Sequence, residues 1–334
     1  MSGERLDVLA AQARRQLRDA GLETPDLDAR LLIEWTTGTT RLDLISAPDR
    51  LIEAERVEML RAALERRAKG EPVHRIIGVR EFYGLPFRLS AATLEPRPDT
   101  EALIELVIPP LEMLVAEHGA VELLDMGTGT GAIVISLLHR FETLHGIGLD
   151  VSEGALATAR INAAINDVGQ RFAALRSDWF ANVSGRFHMI VSNPPYIPHE
   201  DIAGLSREVR EHDPLAALDG GQDGLDFYRA LAEQAVEYLY DGGMVAVEIG
   251  AGQFQDVKAL FEQAGFELAN DARDLGGHRR AMLLRKNHKR NFDTQRREKH
   301  LEFAAKPFSF RPPYTARMVL PAFRGPWRKC SMTI

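Results

Sequence analysis

Between Val121 and Leu284 the chain alternates short apolar runs with segments of helical spacing, and this alternation restricts the possible folds most severely. Strand patterns fall at Val121–Asp125, His145–Leu149, Phe172–Leu175, Phe187–Val191 and Met244–Ile249, with helical patterns at Ala132–Arg140, Glu153–Asn166, Gly224–Tyr240 and Phe254–Ala264. Continuous apolar strands separated by helices predict a mostly parallel, doubly wound α/β sheet covered on both faces. Phe266–Asn270 and Arg280–Leu284, around a turn near Gly276-Gly277, predict a closing antiparallel pair.

In such a sheet ligands bind at the carboxyl ends of the strands, and several of these ends carry chemistry. The first strand runs into Gly127-Thr128-Gly129-Thr130-Gly131, three alternate glycines that let a backbone pass close to a bound molecule. The spacing is not the GxGxxG of dinucleotide binders. Asp150, 19 residues past Gly131, ends the second strand, where a carboxylate can accept both hydroxyls of a ribose. Asp178 and Trp179 follow the third strand, offering a polar group and an aromatic face for an adenine. A helix cap and a core tryptophan are the plainer readings of that pair. Asp125 is expected either behind the residues that touch the bound molecule or near an amino-acid part of it. The fourth strand stops at Asn193-Pro194-Pro195-Tyr196, where two prolines without N–H groups hold a carboxamide, carbonyls and a phenol rigidly at the strand end.

Upstream, residues 1–70 read as a small helical bundle. Its apolar faces are Leu6, Leu9, Ala10, Ala13 and Leu17, then Leu27, Leu31, Leu32 and Trp35, then Val57, Leu60 and Leu64. Residues 71–95 are expected as a linking β-hairpin from Val73–Gly78 and Glu81–Leu89, and 96–285 as the catalytic domain. A helix opened by Pro96-Arg97-Pro98-Asp99-Thr100-Glu101 is expected to kink or end at Pro109-Pro110.

Composition narrows the classes. The single cysteine, Cys330, excludes an intramolecular disulfide framework and fits a reducing cytoplasm, the expected location. The amino terminus lacks the apolar core of a secretory signal, no run approaches a membrane span, and no metal site is expected among the histidines. The net charge of −7 divides into +9 from Lys286 onward and −16 before it. The acidic body argues against long contact with a nucleic-acid backbone. The basic, aromatic tail, residues 286–334, is the one stretch suited to RNA; an extension without function is the preferred reading.

Glycine loop, ribose acid, aromatic and Asn-Pro-Pro-Tyr, in that order, resemble the S-adenosylmethionine-dependent methyltransferases with a Rossmann-like sheet. With the helical bundle, Pro96–Glu101, Ser177-Asp178-Trp179-Phe180 and Asp219-Gly220-Gly221-Gln222-Asp223-Gly224-Leu225, the chain resembles the HemK-type release-factor glutamine N5-methyltransferases over residues 1–285. The resemblance implies S-adenosylmethionine as cofactor and S-adenosylhomocysteine as product. It implies class 1 peptide-chain release factors as partners, methylated on the glutamine of their Gly-Gly-Gln motif, and a monomer is expected. Gly127 to Gly131, Asp150, Asp178, Trp179 and Asn193 are then expected at the cofactor, Asn193, Pro194, Pro195 and Tyr196 at the substrate. Asn193, Pro194 and Tyr196 are the expected catalytic groups. Glu95, Met126 and His212-Asp213-Pro214 depart from the family pattern. The chain's own Gly220-Gly221-Gln222 is a turn typical of the family. A ribosomal-protein glutamine, an exocyclic amine of a nucleic-acid base, and an inactive RNA-binding adaptor are the alternatives.

Overall fold

The computed structural model describes residues 3–287; Met1, Ser2 and residues 288–334, nearly all of the basic tail, lie outside them. Contacts divide the chain at Gly78/Val79 into two units.

The first unit contains β1 (Glu4–Arg5), α1 (Leu6–Asp19), α2 (Pro25–Thr37), α3 (Asp43–Ser46), β2 (Leu51–Ile52), α4 (Ala54–Ala68) and α5 (Val73–Ile77). The apolar stripe of α1 packs as its spacing predicts: Leu6, Leu9, Ala10, Ala13 and Leu17 are all buried. In α2 the inward face is turned from the expected one. Ala29, Leu32 and Ile33 are buried with Asp28, whereas Leu27 and Trp35 are exposed. The cause is an ion pair: Asp28 Oδ2 accepts from Arg67 Nε of α4 at 2.7 Å with both side chains about 95% buried. Burying that carboxylate requires its helix to face α4 there. Val73–Ile77, expected as a strand, is a helical turn closed by Gly78 in the left-handed conformation. Its apolar pair, Val73 and Ile76, is spaced by three and buries on one side of that turn.

The second unit opens with the hairpin β3 (Val79–Phe82) and β4 (Leu85–Arg88). A 3₁₀ turn at Pro98–Thr100 leads into α6 (Glu101–His118). Then come β5 (Val121–Met126), α7 (Ala132–Arg140), β6 (Leu144–Asp150), α8 (Glu153–Ile165), β7 (Phe172–Arg176) and β8 (Phe187–Ser192). The short α9 (Arg207–His212) precedes α10 (Asp226–Tyr238), β9 (Leu239–Glu248), α11 (Phe254–Gln263), β10 (Phe266–Arg273) and β11 (Arg279–Lys286). Seven of these strands form one sheet in the order β10-β11-β9-β8-β5-β6-β7, parallel except for β11 against its two neighbours.

Alternate residues of each strand feed opposite layers. Leu123, Met189 and Ala246 face the layer of α6, α7 and α8; Leu124, Ile190 and Val245 face that of α10 and α11. Contrary to the sequence expectation, α6 runs unbroken through Pro109-Pro110. Pro109 and Pro110 deprive the carbonyls of the exposed Glu105 and the buried Leu106 of their N–H partners. Buried Leu103, Leu106, Val107 and Leu111 hold the helix down on both sides of the break in its ladder.

Candidate active site

The strand order changes direction between β5 and β8, and the carboxyl ends of β5, β6, β7 and β8 open around one cavity of about 370 Å³. Its walls include Gly127, Thr128, Gly129, Thr130, Asp150, Asp178, Trp179, Asn193 and Pro195. Nine expected residues, scattered over 69 positions from Gly127 to Pro195, thus meet in one place. Gly131, Pro194 and Tyr196 do not line it.

The glycine loop has the geometry its composition calls for. Gly127, Gly129 and Gly131 have φ of 70°, 54° and 81°, a region that side chains strain against. Gly131 caps α7. Thr128 ties the loop down at both ends, its N–H donating to the Leu149 carbonyl at 2.8 Å and its hydroxyl to Asp125 Oδ2 at 2.7 Å. Burial pushes the Asp125 carboxyl up to about 7, and its Oδ1 has no hydrogen-bond partner among the described residues. Asp125 therefore supports the loop from behind. Asn162 of α8, fully buried, braces it from the other side by donating to the Thr130 carbonyl at 2.8 Å.

At the end of β6, Asp150 Oδ2 accepts the Gly129 N–H at 3.0 Å and Oδ1 accepts that of Ser152 at 2.9 Å. Burial raises its pKa and these amides oppose the rise. The carboxylate is thus oriented by backbone donors and keeps lone pairs for a diol. Trp179 has φ of 50°, uncommon for a large side chain, and is pinned by the Ser177 hydroxyl donating to its carbonyl at 2.8 Å. Its ring meets Phe227 of α10 at 4.8 Å between centroids, so the aromatic wall has two members. Asp178 stands exposed at the rim.

Asn193 Nδ2 donates to the buried Thr100 hydroxyl, at the start of α6, at 3.0 Å. The Thr100 hydroxyl also hydrogen-bonds the Glu248 carboxyl, so it accepts from Asn193 and leaves Oδ1 for the cavity. Tyr196, expected to pack on the acceptor, turns the other way: its hydroxyl donates to Glu248 Oε1 at 3.4 Å. Burial pushes the Glu248 carboxyl up to about 7 and the Tyr196 phenol up to about 12.

The loop after β8 is then locked by the glycine turn at 219–224. Ile197 N–H donates to the Leu218 carbonyl at 3.0 Å, Gly220 N–H to that of Ile197 at 2.9 Å, and His199 N–H to that of Gly221 at 2.8 Å. A Cβ at Gly220 would stand 2.9 Å from the Pro195 carbonyl oxygen, and at Gly224 2.3 Å from that of Tyr196. The chain's own Gly-Gly-Gln thus uses its glycines for close packing, while Gln222 is exposed.

The departures from the family pattern also have partners. Glu95 pairs with Arg80 at 3.2 Å, and Asp213 with Arg97 at 2.7 Å, the latter joining two stretches of cavity wall. Sequence reasoning missed Thr100, Asn162, Phe227 and Glu248. Only Glu248 carries a signal, a charge in the otherwise apolar run Met244–Ile249.

A seven-stranded sheet with the antiparallel β11, a glycine loop after β5 and Asn-Pro-Pro-Tyr after β8 define a methyltransferase of the Rossmann-like class. Comparison with known proteins narrows this. Residues 9–78 match the family model "PrmC N-terminal domain" and residues 107–208 the model "Methyltransferase small domain". The release factor glutamine methyltransferase of Agrobacterium fabrum is 49% identical over 82% of this chain and 95% of its own. That of Caulobacter vibrioides is 43% identical over 82% and 94%. Among solved structures, the ribosomal protein L11 methylase of Lactobacillus delbrueckii subsp. bulgaricus is similar at 21% identity. It matches with a TM-score of 0.44, over 60% of this chain and 86% of that one. The chain belongs to the release factor glutamine methyltransferase family.

Proposed function

We propose that the protein transfers a methyl group from S-adenosylmethionine to the side-chain amide nitrogen of the glutamine in the Gly-Gly-Gln motif of class 1 peptide-chain release factors. The observation that carries the reading is the Asn193 carboxamide, held by Thr100 at the rim of a cavity whose other walls suit a nucleoside. Asp150, braced by two amides, suits the ribose; Trp179 and Phe227 suit the adenine; the glycine loop suits the amino-acid part. Bound there, S-adenosylmethionine supplies an electrophilic methyl on a sulfonium.

The acceptor is a planar amide, a poor nucleophile because its lone pair is delocalised into the carbonyl. The Asn193 Oδ1 accepts one of its N–H bonds, and the Pro194 carbonyl, buried just behind the cavity wall, is the candidate for the other. That fixes the face the nitrogen presents and stabilises positive charge as it develops there. The excess proton passes to water, since a protonated, alkylated amide nitrogen is strongly acidic. Tyr196, anchored on Glu248, keeps the two acceptors in place.

The first unit is the candidate for recognising the release factor. Its connection between α2 and α4 exposes Leu42, Ile45 and Leu51 at 66–74%, apolar surface that suits a protein partner. The test is to incubate the protein and labelled S-adenosylmethionine with a purified release factor, its Gln→Ala form, and RNA. Label is expected on the intact release factor alone. Label on RNA but on neither protein would sink the proposal.

A further inference from the structure

The turn leaving β9 carries a side chain that the scheme above does not use. Gln253, at the N-cap of α11, spans three segments with one carboxamide. Its Nε2 donates to the Tyr196 carbonyl at 2.9 Å and to the Gly224 carbonyl at 3.3 Å, while its Oε1 accepts the Gly250 N–H at 3.0 Å. The same turn meets Tyr196 at two further points. Glu248 receives its hydroxyl, and a Cβ on Gly250 would stand 3.0 Å from its ring.

The need for such a clamp follows from the prolines. Pro194 and Pro195 have no N–H, so the loop's own amides brace it only from Ile197 onward. Its carbonyls must be held by donors brought from elsewhere in the fold. Gln253 brings two N–H bonds to the Tyr196 and Gly224 carbonyls, the point where the acceptor loop meets the glycine turn.

We propose that Gln253 is the positioning residue of the acceptor loop. By holding the Tyr196 carbonyl it sets the direction in which the Pro194 carbonyl and the Asn193 carboxamide meet the substrate nitrogen. This rests on the reaction proposed above.

Two variants test it. Gln253→Met removes all three hydrogen bonds at similar volume. Gln253→Glu keeps the shape but, as a carboxylate, has no donor for the two carbonyls; protonated, it regains one. Gln253→Met is expected to lower kcat for release-factor methylation roughly tenfold, the scale of losing paired hydrogen bonds to fixed acceptors. KM for the release factor and Kd for S-adenosylmethionine should stay within about twofold. Gln253→Glu is expected to lose as much near pH 8 and to recover, relative to wild type, as pH falls, because the two carbonyl oxygens it faces disfavour the carboxylate and raise its pKa. Amide exchange at Ile197 and His199 should quicken in both variants.

Wild-type kcat in both variants overturns the proposal. So does a loss confined to Kd for the methyl donor, or one that follows thermal stability and does not change with pH. A wild-type protein that fails to methylate the release factor sinks the function instead, and the exchange rates at Ile197 and His199 then still decide the role of Gln253.

Discussion

At the scale of single residues, the site works by fixing polarity. Asn193 can present Oδ1 to an acceptor only because Thr100 occupies its Nδ2. Asn193→Ala is therefore expected to lower kcat by about 100-fold or more, the scale of deleting one preorganised polar group at a reacting centre. Calorimetric Kd for S-adenosylmethionine should change little. Retention of wild-type turnover would remove Asn193 from the reaction.

Glu248 gives a second expectation at this scale. Burial, opposed by the neighbouring Arg280, Tyr196 and Thr100, raises its pKa from an ordinary 4.5 to about 7; Asp99 adds to the rise. Between those values the folded chain binds a proton that the unfolded chain has released. The group's contribution is thus greatest below 4.5 and is lost as pH rises to about 7. Glu248→Gln, neutral throughout, should gain in Tm relative to wild type between about pH 5 and pH 8. A difference in Tm that is flat across that range would show that Glu248 does not titrate there.

At the scale of elements, turns and short loops carry more than the long helices. The 219–224 turn backs directly onto the acceptor loop, and Gly224 meets its carbonyl in a left-handed conformation at φ 75°. Gly224→Ala is expected to lower kcat by about tenfold or more, with a smaller loss of stability, because the side chain must push the Tyr196 carbonyl away. Steady-state kinetics beside a urea melt separates the two effects. Unchanged kcat would mean the turn merely fills space. The proline pair of α6 shows the reverse case: a local signal to stop is overridden where apolar side chains on both sides of it are buried.

At the scale of the whole molecule, the last strand among the described residues ends at Lys286, and about four-fifths of this chain matches nearly the whole length of its relatives. Deleting residues 288–334 is expected to leave release-factor methylation within about twofold of the full chain, since every strand and cavity wall found among the described residues remains. A much larger fall would assign the basic stretch a part in substrate capture. The −16 body fits a protein acceptor better than a nucleic acid, and excess RNA should not compete.

The sequence by itself determined the order of elements, the sheet class, the glycine loop, Asp150 and the loop after β8. All depend on local rules: strand and helix periods, glycine at positive φ, proline without an N–H. It misjudged Val73–Ile77 and the inward face of α2, where short-range pattern is ambiguous and a distant partner, Arg67 in the case of α2, decides. Only the tertiary structure could bring Thr100, Asn162, Phe227, Glu248 and Gln253 to the site. Their chemistry lies in what they touch across 29 to 93 positions of chain, and an isolated threonine or glutamine carries no mark of the backbone it will hold.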